Sequence, residues 1–215
     1  MTNDSLAKTG LNYFGKMSAS ISHEIKNRMA VINEQAGLLK DLVLLAEQGR
    51  EIDLERLMRL AESLKNQVVL TDGIIKNMNR FSHTVDSFQR TVDLAEILSL
   101  TVALSKRTAD NKGVGIQCRL PESSISIVTA PFLLMNLVWL CFEAMMPFAD
   151  MEHPVIIGGE KSDAGATLML STAQWPDESG PDLPEAINLI AEALHAKVSV
   201  NRDGKEIRIE LVPGE

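Results

Sequence analysis

The chain has 215 residues, enough for one large or two small globular units. Its apolar fraction of 45% and charged fraction of 23% are typical of a folded globular protein and exclude a disordered one. The net charge of −8 comes from the second half, since residues 1–92 carry 12 basic and 11 acidic side chains and residues 93–215 carry 9 and 18. This acidic balance argues against nucleic acid as a partner.

The sequence also indicates where the protein works. No uninterrupted apolar run reaches the roughly 18 residues of a membrane span, and the first residues lack the basic-then-apolar pattern of a secretion signal. Two cysteines, Cys118 and Cys141, are too few for a disulfide framework, and Cys141 lies in a dense apolar run typical of a core. We therefore expect a cytoplasmic protein with no membrane contact.

The first part of the chain predicts a helical hairpin, and we assign residues 1–90 to this domain. Apolar residues at steps of three and four predict a long helix over residues 6–48, which Gly49 ends. Asp53 predicts the cap of a second helix that runs to about residue 81. One hairpin cannot bury the stripes of both helices, so we predict a homodimer in which two hairpins form a four-helix bundle. The predicted buried stripe of the first helix comprises Phe14, Met17, Ile21, Ile25, Met29, Ile32, Ala36, Leu39 and Val43.

The second domain, residues 91–215, predicts an α/β sandwich, so the fold class of the whole chain is α+β. An Asp203-Gly204 pair predicts a tight turn between the last two strands. Helices packed against a mixed sheet make such a sandwich. The predicted helices cover residues 92–108, 131–148 and 183–196, and the predicted strands cover 115–120, 124–128, 154–158, 167–171, 197–201 and 206–211.

One histidine stands out in the first helix. At ~100° per residue, His23 lies about 160° from the Ile21/Ile25 stripe, so we expect its imidazole to face solvent. Asn27 lies one turn further along on the same side, and Glu24 flanks the histidine. The pattern of a helical zinc protease, His-Glu-x-x-His, is excluded because residue 27 is asparagine.

The segment Met17–Ile32 resembles the H-box of two-component histidine kinases, the dimerising helix that carries the phospho-accepting histidine. The match is to Ser-His-Glu-Ile-x-Asn, with small residues before it and aliphatic residues after it. Arg28 stands where that family usually has proline, which removes the usual cause of a kink after the site. The resemblance implies that His23 accepts a phosphoryl group and that Asn27 orients a water for removing phosphate from a partner's phosphoaspartate.

The chemistry of the side chains around His23 fits that role. A neutral imidazole nitrogen is a good nucleophile toward phosphorus. Glu24 could accept a hydrogen bond from the other ring nitrogen, and Lys26 could offer positive charge to phosphoryl oxygens. The alternative for both residues is that they are ordinary charged groups on the helix surface. Small side chains at Ala19, Ser20 and Ala30 leave a flat area for a partner domain. We predict His23, Glu24 and Asn27 as catalytic residues and Ala19, Ser20, Lys26 and Ala30 as partner-binding residues.

The second domain resembles the ATP-binding domain of the same kinases but lacks its nucleotide chemistry. In Phe132–Met145, which is similar to the N-box, Leu140 occupies the position of an asparagine that would hold magnesium, and leucine has no oxygen ligand. Asn136, one turn earlier, is the alternative position for that amide. The glycine-rich boxes that allow close approach to phosphate are missing, and only Asp177 and Gly180 remain of them. We therefore predict that ATP is not bound.

Together these features resemble the dimeric histidine phosphotransferases of phosphorelays. The resemblance implies that the protein relays a phosphoryl group through His23 to or from the aspartates of response-regulator receiver domains. The receiver would supply Mg²⁺, and no cofactor would be stably bound. Two alternatives stay open, namely an active soluble kinase with a divergent ATP site, and a response-regulator phosphatase or docking module without catalysis.

Overall fold

The computed structural model describes residues 2–121, 123–162, 165–175 and 180–212. The chain forms two compact units. The hairpin unit comprises residues 18–79, and the sheet unit comprises the residues up to 17 and from 80 onward. Helices α1 (Thr2–Glu47) and α2 (Leu54–Ser82) therefore each have residues in both units. The predicted separation into domains at residue 90 stays a prediction.

Both predicted helices of the hairpin are present, and local chemistry explains where they begin and end. Gly49 has a φ of +81°, and its N–H donates to the carbonyl of Ala46 at 2.9 Å, which ends α1. The Asp53 side chain accepts a hydrogen bond from the backbone N–H of Arg56 at 3.1 Å. This bond satisfies a free donor in the first turn of α2, as the sequence predicts.

The two helices meet in a narrow seam that mixes apolar and polar side chains. Ile21 and Leu42 are buried within it. The Gln35 side-chain amide crosses the seam and donates to the Ser63 hydroxyl at 2.6 Å. A polar pair of this kind is satisfied at one relative register of the helices only, so it favours that register.

The predicted buried stripe of α1 is correct only in part. Ile25 and Ile32 are half-buried, but Met29 and Val43 are 53% and 50% exposed within the protomer. Phe14, in the sheet unit, is 38% exposed. A two-helix hairpin has a single seam, and this seam is narrower than the apolar face that the sequence provides.

The sheet unit contains a mixed five-stranded sheet, which confirms the α+β class. Its strand order is β2-β4-β5-β7-β6, with β2 and β4 parallel and the other neighbours antiparallel. A separate antiparallel pair joins β1 to β3. The elements are β1 (Arg90–Asp93), α3 (Leu94–Asn111), β2 (Ile116–Arg119), β3 (Ser126–Thr129), α4 (Pro131–Met145), β4 (Val155–Ser162), β5 (Gly165–Ser171), α5 (Glu185–Ala193), β6 (Ala196–Asn201) and β7 (Glu206–Leu211).

Two differences from the sequence prediction have simple causes. Strand β1 was not predicted, because Val92 is its one aliphatic residue and the strand exists through pairing with the distant β3. Helix α5 is shorter than predicted, because His195 adopts a left-handed φ of 52° that stops the helix before β6.

Helix α4 is the centre of the core of the sheet unit. Leu134, Leu137 and Cys141 have no exposed surface, and α4 packs against α3, α5 and β5. Among the described helices, the segment Pro131–Phe148 alone is long and apolar enough to cross a membrane, and 61% of it is buried inside this protein. Its apolar composition is therefore accounted for by the core, and the prediction that Cys141 is a core residue is confirmed.

Candidate functional site

His23 lies in the hairpin unit, within the long helix α1, and its side chain is exposed as predicted. The helix continues unbroken through Arg28, in agreement with the absence of proline there. Among the described residues, no hydrogen bond or ion pair involves the His23 ring. The imidazole is thus sterically available to a group that approaches from solvent.

The predicted site residues other than Glu24 lie on the same side of α1 as His23. Apart from His23 and Glu24, the predicted site comprises five residues. Helix geometry at ~100° per residue places all five within about 60° of His23 around the helix axis. Four of the five are exposed and one is half-buried. The exposed residues are Ala19, Lys26, Asn27 and Ala30, and the half-buried residue is Ser20.

Glu24 has a different partner from the one expected. Its carboxylate lies 4.0 Å from the guanidinium of Arg28, and no hydrogen bond joins it to His23 in the described structure. Arg28 in turn donates to the side-chain oxygen of Gln67 on α2 at 3.3 Å. A partly exposed pair at this distance contributes little free energy, so Glu24 can leave Arg28 at small cost.

The contact between Arg28 and Gln67 was missed by the sequence analysis. Both residues occupy seam positions of their helices, where apolar residues are usual. A polar side chain at such a position is the signal that could have identified the pair, but one sequence does not show which residue of α2 lies opposite Arg28.

Both candidate positions for the N-box amide lie on α4. Leu140 is half-buried on α4, and the Asn136 side chain is 1% exposed, so its amide lies in the interior. A Cβ added to Gly180 would lie 3.0 Å from Val200 and 3.3 Å from Trp175, so this glycine permits close packing. Asp177 lies outside the described residues. No group of three or more metal-ligating side chains occurs among the described residues.

Comparison with protein-family models gives no match, and comparison with curated protein sequences gives none either. Solved structures do match. The histidine kinase AdeS from Acinetobacter baumannii has a TM-score of 0.50 and 12% identity, covering 84% of this chain and 96% of that chain. A bacterial phosphotransferase structure has a TM-score of 0.47 and 14% identity, covering 93% and 95%. A histidine kinase from Burkholderia phymatum STM815 has a TM-score of 0.45 and 15% identity, covering 87% and 99%.

The match to AdeS establishes the fold of this chain. N-terminal helices are followed along the chain by a mixed sheet with packed helices, as in histidine kinase catalytic domains. The chain therefore has a histidine-kinase-like fold. At 12% identity the likeness concerns the fold alone, and the chemistry has to be argued from the residues.

Proposed function

We propose that this protein is a histidine phosphotransfer protein of a two-component phosphorelay. It passes a phosphoryl group through His23 between the aspartates of response-regulator receiver domains. The observation that carries the proposal is an exposed histidine without a partner among the described residues, set among small and polar side chains on a histidine-kinase-like fold. The receiver supplies Mg²⁺, and the sheet unit has a structural role without ATP.

The transfer step follows from the chemistry of imidazole. A ring nitrogen of His23 attacks the phosphorus of an aspartyl phosphate, the bond from phosphorus to the carboxylate oxygen breaks, and the carboxylate leaves with the electron pair. The other ring nitrogen keeps its proton, so the phosphorylated imidazole ring carries a positive charge. Glu24, once released from Arg28, accepts a hydrogen bond from that N–H and stabilises the charge. A second receiver aspartate takes the group by the reverse step.

We also propose that the working form is a homodimer with a four-helix bundle. This proposal is supported by apolar side chains that recur every two helical turns and stay exposed in the protomer. Met29, Ala36 and Val43 recur every seven residues on α1, and Val68 and Ile75 do so on α2. A second hairpin packed on these positions would remove them from water, as in coiled-coil packing.

The test uses a receiver domain phosphorylated on aspartate, purified wild-type protein and the His23→Ala variant. The wild type should acquire label that is stable in base and labile in acid, and should return it to a second, unphosphorylated receiver. His23→Ala should acquire no label, yet should elute as the same oligomer as the wild type. Transfer that persists in His23→Ala contradicts the proposal.

Further experiments distinguish the proposal from the kinase, phosphatase and docking-module alternatives. Incubation with Mg²⁺ and γ-labelled ATP should leave the protein unlabelled, and a label on wild type alone would make it a kinase. Asn27→Ala should transfer normally; if it instead slows only the loss of phosphate from the receiver, the protein is a phosphatase. A docking module would bind the receiver equally with and without His23 and would never carry label.

A further inference from the structure

Three polar side chains connect the neighbour of His23 to the second helix of the hairpin. The guanidinium of Arg28 uses its two terminal nitrogens for different partners, since Nη2 lies 4.0 Å from a carboxylate oxygen of Glu24 and Nη1 donates to the side-chain oxygen of Gln67 at 3.3 Å. Glu24 follows His23 directly in the sequence, and Gln67 belongs to α2. The orientation of the carboxylate beside the site is therefore tied to the packing of the hairpin.

Glu24 lies between two groups that compete for its carboxylate. At ~100° per residue, Glu24 is about 100° from His23 and only about 40° from Arg28 around the axis of α1. Side chains four residues apart face each other on a helix, whereas adjacent side chains do not. The observed contact with Arg28 is thus the favoured one, and in the described structure no hydrogen bond joins Glu24 to His23. A contact with the imidazole requires the carboxylate to turn away from Arg28.

Gln67 keeps the positive charge of Arg28 in place. A lone arginine on a helix surface loses side-chain entropy when it forms an ion pair, which is one reason why exposed pairs contribute little. Here both Arg28 and Gln67 are half-buried, and their hydrogen bond fixes the guanidinium independently of Glu24. Within the part of the chain that the structure describes, Arg28 has no second carboxylate at ion-pair distance, so its charge is directed at Glu24.

We propose that Arg28, held by Gln67, is a positioning residue that slows phosphorylation of His23 by keeping the Glu24 carboxylate away from the imidazole. This inference rests on the phosphotransfer function proposed above. When phosphorus bonds to one ring nitrogen, positive charge develops on the ring, and a carboxylate at the other N–H stabilises that charge. Arg28 withholds this stabilisation. The arginine that replaces the family's usual proline thus acts on the rate in addition to leaving the helix unbroken.

The test measures how fast His23 is labelled from two donors. One donor is a phosphorylated receiver domain, and the other is phosphoramidate, a small molecule that passes its phosphoryl group to imidazole and releases ammonia. Arg28→Met keeps an aliphatic stem but removes the charge, and it should raise the maximal rate about two- to fivefold with either donor. The receiver concentration at half-maximal rate should stay unchanged, because Arg28 acts on Glu24 and not on the receiver. Arg28→Lys restores the cation and should be labelled at the wild-type rate.

Double variants show whether the effect passes through the proposed contacts. In the Glu24→Gln background, Arg28→Met should leave the rate unchanged, because no carboxylate remains to be released. Gln67→Leu should raise the rate while Arg28 is present and should have no effect after Arg28→Met. The matched charge control is Lys40→Met. Lys40 is exposed on the same helix about 18 Å along the axis from Arg28, beyond the screening length at physiological salt, so this variant should be labelled at the wild-type rate.

The two donors separate the positioning role from the function on which it rests. An unchanged rate in Arg28→Met, an equal acceleration in the Glu24→Gln background, or acceleration by Arg28→Lys or Lys40→Met would each refute the positioning role. Acceleration with the receiver alone would also refute it, since Arg28 would then act on docking. The expected response with phosphoramidate, without any transfer from the receiver, would support the positioning role and overturn the proposed phosphotransfer. No label from either donor in any variant would refute both.

Discussion

The two units of this protein bury their apolar residues very differently. In the sheet unit, helix α4 and strands β4, β5 and β7 hold a continuous core whose central residues have no exposed surface. In the hairpin unit, Ile21 and Leu42 are the two large apolar residues that the protomer buries, while Val68 and Ile75 remain 56% and 43% exposed. The sheet unit therefore encloses a core within the protomer, whereas the hairpin buries few of its large apolar side chains.

This difference indicates that the two units reach stability in different ways. The hairpin carries the exposed histidine and an apolar surface without a cover in the protomer, so we expect its stability to depend on another chain. The sheet unit keeps a buried core around α4 within the protomer. Core residues and site residues are separate sets on a fold, and one set can change while the other is kept.

The largest effect should come from charges placed on the exposed apolar stripe. In the double variant Val68→Glu, Ile75→Glu, each substitution removes about 1.5–3 kcal/mol of apolar burial per protomer from the proposed bundle and puts a carboxylate there instead. Light scattering after gel filtration should show a dimer for the wild type and a monomer for the double variant. The helical signal in circular dichroism should also fall, because the isolated hairpin has one seam only.

The matched control for that experiment is Val69→Glu. Val69 is as exposed as Val68 within the protomer but lies ~100° away around α2, off the stripe. This variant should remain dimeric with an unchanged midpoint of unfolding. A dimer that survives the double variant, or that is lost in the control, would contradict the proposed bundle.

A smaller effect should distinguish the packing of the sheet unit from that of the hairpin seam. Leu137→Ala removes a side chain with no exposed surface and should lower the free energy of unfolding of the sheet unit by about 2–5 kcal/mol. Leu42→Ala should cost less than this range, because a partly open hairpin seam relaxes around the cavity. Urea unfolding followed by fluorescence and circular dichroism measures both. Equal losses would mean that the hairpin is packed as tightly as the sheet unit.

Most elements could be predicted because their signals are local. Gly49 and Asp53 mark the turn of the hairpin by their own backbone and side-chain chemistry, and the apolar run of α4 predicts a core helix. The position of His23 opposite the stripe follows from helix geometry. These features need no knowledge of what lies next to them in space.

The missed features all depend on distant neighbours. Strand β1 is defined by pairing with β3, and the partner of Glu24 proved to be Arg28, itself bonded to Gln67 on the other helix. The apolar pattern of α1 likewise could not separate Ile25, in the seam, from Met29, on the exposed side. Periodicity reports an apolar face, and only the packed structure shows what covers it.

The smallest effect concerns the reactivity of the two thiols. Complete burial raises the pKa of Cys141 to about 12, and partial burial on β2 also raises the pKa of Cys118, whose thiol is partly accessible. The thiolate is the reactive form, so at pH 8 a disulfide reagent such as DTNB should modify one thiol per chain readily and the second only in denaturant. Cys118→Ser should abolish the first reaction and Cys141→Ser the second. Rapid reaction of both thiols in the native protein would show that the core of the sheet unit opens readily and would contradict the prediction.

The pH dependence of stability follows from the same burial. Folding raises the pKa of Cys141, so its neutral thiol contributes stability to the folded state below the pKa that the thiol has in the unfolded chain. That stability is lost as the pH rises toward 12.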